Sequence, residues 1–82
     1  MIFSVYILEC VDKTYYVGCT NNLEKRVRQH NTLKKGARYT KMRRPVILQY
    51  FEEFPTLSMA RKREAAIKRL KRIQKENLWN KT

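Results

Sequence analysis

The first third of the chain contains two apolar stretches separated by a short polar loop. Residues 2–10 are almost all apolar without clean alternation, which is typical of a central strand covered on both faces. Residues 14–19, rich in β-branched and aromatic side chains, predict the return strand of a hairpin. A third strand, residues 46–54, starts after Pro45 and runs into two glutamates, which suits a sheet edge. We therefore predict a three-stranded antiparallel sheet with strand order 2-1-3.

The first helix is predicted over about residues 21–31, with two polar residues on its inward side. Leu23, Arg26, Val27 and His30 fall at the spacing of one helical face. The two apolar residues anchor the helix to the sheet. Polar residues at the other two inward positions are unusual unless they line a pocket.

The second helix is predicted as one continuous segment over about residues 57–75. Glu64 borders its apolar face, close to Ala60 and Ile67. On residue type alone, this carboxylate is either half of an ordinary ion pair with Lys68 at i+4 or a functional ligand. Sheet and helices together predict an α/β (α+β) fold in which helices flank the sheet.

The loop between the first two strands decides whether two tyrosines share a face of the sheet. Side chains alternate along a strand, so a shift of one residue in register moves Tyr16 to the other face. A two-residue loop would separate Tyr16 from Tyr6. A three-residue loop, Val11 to Lys13, pairs Leu8 with Tyr16 and places both tyrosines on one face. The residue pattern allows either loop, and only a site shared by both tyrosines requires the three-residue one. We predict that loop on this ground, with Lys13 in the left-handed backbone region.

Charge is the strongest feature of the composition. The 82 residues include 19 Lys and Arg against 7 Asp and Glu, a net charge of +12, and the basic residues concentrate in residues 25–44 and 61–75. Such a field attracts phosphate polymers, and the alternative is a solvated basic surface. Tyr39 either stacks on a base or sugar or packs back on the sheet. The candidate nucleic-acid contacts are Lys25, Arg28, Lys34, Lys35, Arg38, Tyr39, Lys41, Arg43 and Arg44.

Length and composition exclude several other classes of protein. Eighty-two residues predict a single domain over residues 1–82, and the longest apolar run is far too short to span a bilayer. The N-terminus has no basic region of the kind that begins a signal peptide, so a cytoplasmic location is expected. Cys10 and Cys19 should then stay reduced, and with His30 they lack the paired spacing of a zinc site.

Five features in the right order resemble the GIY-YIG nuclease module. Its two half-motifs correspond to Ser4-Val5-Tyr6 and Tyr16-Val17-Gly18. Its first helix carries an Arg and a His four residues apart, as Arg26 and His30 are here, and its single later Glu corresponds to Glu64. The resemblance covers nearly the whole chain and is closest to the small stand-alone bacterial members.

The resemblance implies a metal-dependent DNA endonuclease acting in repair or on structured DNA. Tyr6 would be the general base, aided by nearby cations, and Arg26 would clamp the scissile phosphate. His30 would take the proton from Tyr6 or hydrogen-bond a phosphate oxygen, and Tyr16 would orient water or phosphate. Glu64 would be the sole protein ligand to one Mg²⁺ or Mn²⁺ ion.

Departures from the family pattern keep a second class of function open. Ser4 stands where the family name has Gly, and either Asn77 or Asn80 corresponds to a late family Asn. A non-catalytic nucleic-acid-binding module on the same scaffold is the alternative, and a basic ribosome-associated protein is a weaker third. A lone glutamate facing phosphate favours catalysis, because without a metal it would repel the ligand. The chain is expected to be a monomer with no membrane partner.

Overall fold

Residues 1–31 and 44–80 are described by the computed structural model. Within these ranges the chain forms a sheet with a helix after the hairpin and two helices after the last strand. The elements are β1 (Phe3–Glu9), β2 (Tyr15–Thr20), α1 (Leu23–His30), β3 (Ile47–Phe54), α2 (Leu57–Lys68) and α3 (Arg72–Glu76).

The sheet is antiparallel with the order β2-β1-β3, which confirms the predicted topology and places β3 at an edge. Leu8 pairs with Tyr16 across β1 and β2, as the three-residue loop requires. The loop is closed by hydrogen bonds from Cys10 N to Thr14 O (2.8 Å) and from Lys13 N to Cys10 O (2.9 Å). Lys13 has φ 70°, the left-handed conformation expected of it. Both tyrosines therefore lie on the same face.

Both faces of β1 are covered, which explains why its sequence is apolar throughout. Val5 and Ile7 pack on one side against Ala60 and Ile67 of α2. On the other side the core contains Tyr6, Leu8, Cys10 and Val46, with Leu23 and Val27 of α1 packed against it. The helices α1 and α2 thus lie on opposite faces of one thin sheet.

The prediction of one long second helix was wrong, because the segment divides into α2 and α3. At the end of α2 the N–H groups of Arg69 and Leu70 bond the carbonyls three residues back, at 3.2 and 3.0 Å. Lys71 then takes an extended conformation (ψ 162°) before α3 begins. The break lets Trp79 return to the core, where its ring meets that of Tyr15 edge-on at 5.4 Å. No Gly or Pro marks the break, so helix propensity alone could not reveal it.

Side chains cap the first turns of α1 and α2. Asn22 Oδ1 accepts a hydrogen bond from Lys25 N (3.1 Å), and Thr56 Oγ1 accepts one from Met59 N (3.2 Å). Each satisfies a backbone donor that the helix itself leaves unpaired. These caps fix where α1 and α2 begin, and hence where their side chains lie relative to the sheet.

His30, the last residue of α1, is fully buried. Burial, together with the charge of Arg26, lowers its pKa from 6.5 to about 4, so the imidazole is neutral at neutral pH. Unfolding returns the ring to water, where it binds a proton more readily. Between about pH 6.5 and 4 the unfolded chain therefore takes up a proton that the folded chain does not.

This burial predicts a loss of stability in acid that depends on His30. The contribution is complete above pH 6.5 and falls as the pH drops towards 4, by on the order of 3 kcal/mol at most. Urea unfolding of the wild type and of His30→Gln across this range measures it, since Gln cannot titrate. The stability advantage of the wild type should shrink steadily as the pH falls, and an advantage that stays constant would contradict the burial argument.

Gly18 faces Tyr6 across the strand pair. A Cβ atom built on Gly18 would lie 2.4 Å from the Tyr6 hydroxyl oxygen and 2.5 Å from its Cζ. The tyrosine ring therefore occupies the space that any larger residue at this position would need.

Gly18→Ala should destabilise the fold by about 1–3 kcal/mol, because the Tyr6 ring must move out of a packed core. A double-mutant cycle in urea locates the cause. The added methyl should cost much less in a Tyr6→Ala background and nearly as much in Tyr6→Phe, which keeps Cζ. Equal costs in the wild-type and Tyr6→Ala backgrounds would show that the ring is not what the methyl displaces.

Candidate active site

The candidate site is built around the Tyr6 hydroxyl. Tyr6 lies on β1, the central strand, and its side chain is almost fully buried on the α1 side. Its hydroxyl oxygen is 3.0 Å from Nε2 of His30. When the imidazole carries its proton on Nδ1, its Nε2 accepts a hydrogen bond from the Tyr6 hydroxyl. A strand residue and a helix residue 24 positions apart thus form one buried hydrogen-bonded pair.

Tyr16 forms the more exposed side of this cluster. Its ring centroid is 4.9 Å from that of His30 and 6.4 Å from that of Tyr6. Unlike Tyr6 and His30, Tyr16 is only partly buried. A group at this position can contact both a substrate in solvent and the buried pair behind it.

Arg26 lies one turn before His30 on α1 and is half-buried. Burial raises the pKa of the Tyr6 phenol, and the nearby guanidinium of Arg26 acts in the opposite direction. Nη1 of Arg26 donates a hydrogen bond to Oε1 of Gln29 at 3.2 Å. The structure therefore brings together four of the five residues predicted for catalysis, Tyr6, Tyr16, Arg26 and His30. Gln29 is not among the residues predicted from the sequence. Its position three residues after Arg26 on a helix is the signal that would have predicted this contact.

The charge state of the pair differs from the simplest expectation for a general base. The pKa of Tyr6 is raised to about 12, and burial is the largest cause. The neighbouring Tyr16 and Glu64 add to the rise, and Arg26 opposes it without cancelling it. At neutral pH Tyr6 is thus a neutral phenol beside a neutral imidazole. Its oxygen can take a proton only if its own proton leaves, and His30 is the bonded acceptor.

Glu64 approaches the cluster from α2. Its carboxylate is 16% exposed, and Oε2 lies 3.0 Å from Nζ of Lys68. The structure therefore contains the i,i+4 ion pair that the sequence left open. Burial raises the pKa of Tyr6 and of Cys19, and the negative charge of Glu64 adds to both shifts. The Glu64 carboxylate is thus close enough to act on Tyr6, although α2 packs on the opposite face of the sheet from the Tyr6 side chain.

A pocket of about 420 Å³ opens beside β2, where the two helix layers meet. Lys25, Arg26 and Gln29 line it from α1, Cys19 from β2, and Leu57 from the start of α2. β2 is an edge strand, so no further strand of the described sheet lies between the pocket walls formed by α1 and α2. The pocket gives a polar ligand access to the guanidinium of Arg26.

The residues predicted to bind nucleic acid divide into two groups. Lys25 lines the pocket, and Arg28 is exposed on α1, 3.3 Å from Glu24. Arg44 is half-buried just before a cis peptide bond to Pro45. The remaining members lie outside the described residues: Lys34, Lys35, Arg38, Tyr39, Lys41 and Arg43.

The two late asparagines lie at the C-terminal end of the described chain. Asn77 directly follows α3, and the backbone N–H of Asn80 bonds the carbonyl of Glu76 at 2.8 Å. Trp79, between them in sequence, belongs to the core on the α2 side of the sheet. Tyr6 lies on the other side, so this geometry assigns neither asparagine to the tyrosine cluster.

The donor set near Tyr6 limits what kind of metal ion it fits. Within residues 1–31 and 44–80, no group of three or more His, Cys, Asp or Glu side chains converges on one point. Among the described carboxylates, that of Glu64 is the one whose charge acts on the pKa of Tyr6, where burial is the largest influence. One carboxylate suits a hard cation such as Mg²⁺, which keeps several waters and takes further oxygens from a phosphate. It does not suit a closed structural site.

Comparison with known proteins identifies the family of this chain. The family model described as the GIY-YIG catalytic domain matches residues 2–77. A UPF0213 protein of Syntrophus aciditrophicus is 55% identical over 74 residues, covering 90% of this chain and 85% of that protein. The UPF0213 protein YazA of Bacillus subtilis is 48% identical over 71 residues, covering 87% of this chain and 71% of that protein.

Two solved structures share the fold. The solution NMR structure of EF2693 from E. faecalis has a TM-score of 0.65 and 41% identity to this chain. That of the UPF0213 protein BH0048 from Bacillus halodurans has a TM-score of 0.60 and 40% identity. Each comparison covers 95% of this chain and 82% of the other. The described helices include none long and apolar enough to cross a membrane. From its matched domain and its relatives, this chain belongs to the GIY-YIG family, among the small UPF0213 proteins.

Proposed function

We propose that this chain is a metal-dependent endonuclease that hydrolyses phosphodiester bonds in DNA. The observation that carries the proposal is the buried Tyr6 hydroxyl, 3.0 Å from Nε2 of His30 and close enough to Arg26 to feel its charge. A buried phenol linked to a neutral imidazole is a ready path for a proton. The guanidinium of Arg26, one helical turn from His30, supplies positive charge where a phosphate would be bound.

In the proposed reaction Arg26 holds the scissile phosphate and stabilises the charge that develops on it. Water attacks phosphorus, and its proton passes to the Tyr6 oxygen as the tyrosine proton moves to Nε2 of His30. The P–O bond to the leaving group then breaks, and that oxygen takes a proton from solvent. A bound phosphate anion favours the imidazolium form of His30, which eases the transfer despite the low pKa of the free site.

Glu64 is the residue we propose to hold Mg²⁺ or Mn²⁺, with water and phosphate oxygens as the remaining ligands. A divalent ion there would act as a Lewis acid on the phosphate. In the absence of a cation the carboxylate would repel the substrate that Arg26 attracts. Its place near Tyr6 therefore supports a role that includes a cation.

A non-catalytic nucleic-acid-binding module is the second candidate, and the Glu64–Lys68 ion pair favours it. Lys68 Nζ at 3.0 Å already offsets the negative charge of Glu64, so that no metal is needed for electrostatic balance. Against it, a binding module has no use for a buried proton path. The buried tyrosine cluster beside Arg26 supports hydrolysis more strongly than the ion pair supports a binding role, so hydrolysis is our first proposal.

Glu64→Gln should lower metal-dependent nicking of plasmid DNA by several orders of magnitude, because it removes the proposed ligand to the cation. DNA affinity, measured in parallel without divalent metal, should hold or tighten because one negative charge is lost. The fold should survive, since Glu64 borders the core and does not fill it.

Lys68→Gln is the matched control for Glu64→Gln. It breaks the same 3.0 Å ion pair but leaves the carboxylate in place, so that nicking at saturating DNA should persist even if the loss of one cation lowers DNA affinity. If the ion pair is all that Glu64 provides, both variants should lose about 0.5 kcal/mol of stability and nick like the wild type. Equal nicking by the wild type and Glu64→Gln would remove Glu64 from the mechanism.

A further inference from the structure

Helix α2 exposes a basic surface that the proposed reaction does not use. Ala60 and Ile67 mark its buried side. At 100° per residue, the opposite side is centred near Ala65 and Arg69. Longer basic side chains flank that centre. We define the α2 surface by six exposed residues: Arg61, Lys62, Ala65, Ala66, Lys68 and Arg69.

Three of these cations are not used in ion pairs that hold the fold together. Elsewhere in this part of the chain, Arg63 is paired with Glu52 and Arg72 with Glu76. Arg61, Lys62 and Arg69 form none of the ion pairs found among residues 1–31 and 44–80. Like charges held this close on one helix repel one another, which favours an anionic ligand.

The α2 surface is continuous with the candidate active site. Arg61, Glu64, Ala65 and Lys68 line a shallow pocket of about 280 Å³. Burial raises the pKa of Cys19, and the positive charge of Arg61 partly opposes this rise, so Arg61 lies near a residue that lines the larger pocket containing Arg26. Basic groups therefore extend from the α1 side, past Glu64, onto the outside of α2.

We propose that the α2 surface binds the phosphates of the DNA strand that leaves the candidate active site. The choice of ligand rests on the proposed function. Arg61 and Arg69 are eight residues apart, about 12 Å along the helix. That distance spans roughly three phosphates along the axis of one strand. The small side chain of Ala65 between them lets a sugar–phosphate backbone approach the helix closely.

The salt dependence of DNA affinity tests this surface one charge at a time. Binding of a short fluorescein-labelled DNA duplex is titrated at several salt concentrations with EDTA present, so that no cleavage occurs. Arg61→Gln and Arg69→Gln should each weaken binding and reduce the slope of log K against log salt by about 1. Lys13→Asn removes one charge from the hairpin and should leave the slope unchanged.

A gain of charge separates binding from damage to the fold. Ala65→Lys adds a cation at the centre of the α2 surface and should tighten binding and steepen the salt slope. Val11→Lys adds the same charge on the exposed hairpin and should do neither. Tightening by Ala65→Lys cannot arise from a disrupted helix, so it would support the surface directly.

The results separate this inference from the proposed function. If the α2 variants behave like Lys13→Asn while the wild type nicks plasmid DNA, the proposal that the α2 surface binds DNA is refuted and the proposed hydrolysis is supported. If the salt slopes change as expected while no nicking occurs with Mg²⁺ or Mn²⁺, DNA binding by the α2 surface is supported and the proposed hydrolysis is refuted. Equal slopes in all variants would overturn the surface whatever the nicking assay shows.

Discussion

The hydrogen bond between the Tyr6 hydroxyl and Nε2 of His30 is the contact on which the candidate site depends. It joins the central strand to the end of α1 where both side chains are almost completely buried. A buried polar group left without a partner costs about 1–3 kcal/mol, so each residue constrains the position of the other. The contact needs the register of the hairpin, the length of α1, and the space left by Gly18.

The same contact holds the site in a form suited to proton transfer. Burial keeps both partners neutral, with the pKa of Tyr6 raised to about 12 and that of His30 lowered to about 4. In the free protein neither is an effective acid or base at neutral pH. A phosphate anion bound beside Arg26, as we propose, would change this balance, because negative charge favours the imidazolium. The site is thus expected to become reactive when substrate is bound.

The sequence predicted the features that depend on alternation and local turn chemistry. The strand order follows from the apolar pattern of β1 and the polar end of β3. The shared face of Tyr6 and Tyr16 follows from the alternation of side chains once the three-residue loop, with Lys13 at positive φ, is chosen. The division of the second helix could not be predicted, because the docking of Trp79 against Tyr15 is a tertiary contact. The raised pKa of Tyr6 also could not be predicted from the sequence, since it depends on how deeply the ring is buried.

Substitution of Tyr6 by Phe tests the central claim most directly, because it removes a single oxygen from the buried pair. Nicking of plasmid DNA with Mg²⁺ or Mn²⁺ is measured for both proteins, with DNA affinity and urea stability in parallel. We expect Tyr6→Phe to fold, to bind DNA like the wild type, and to nick it at least about a hundredfold more slowly. Nicking by Tyr6→Phe at the wild-type rate would show that the hydroxyl transfers no proton in the reaction.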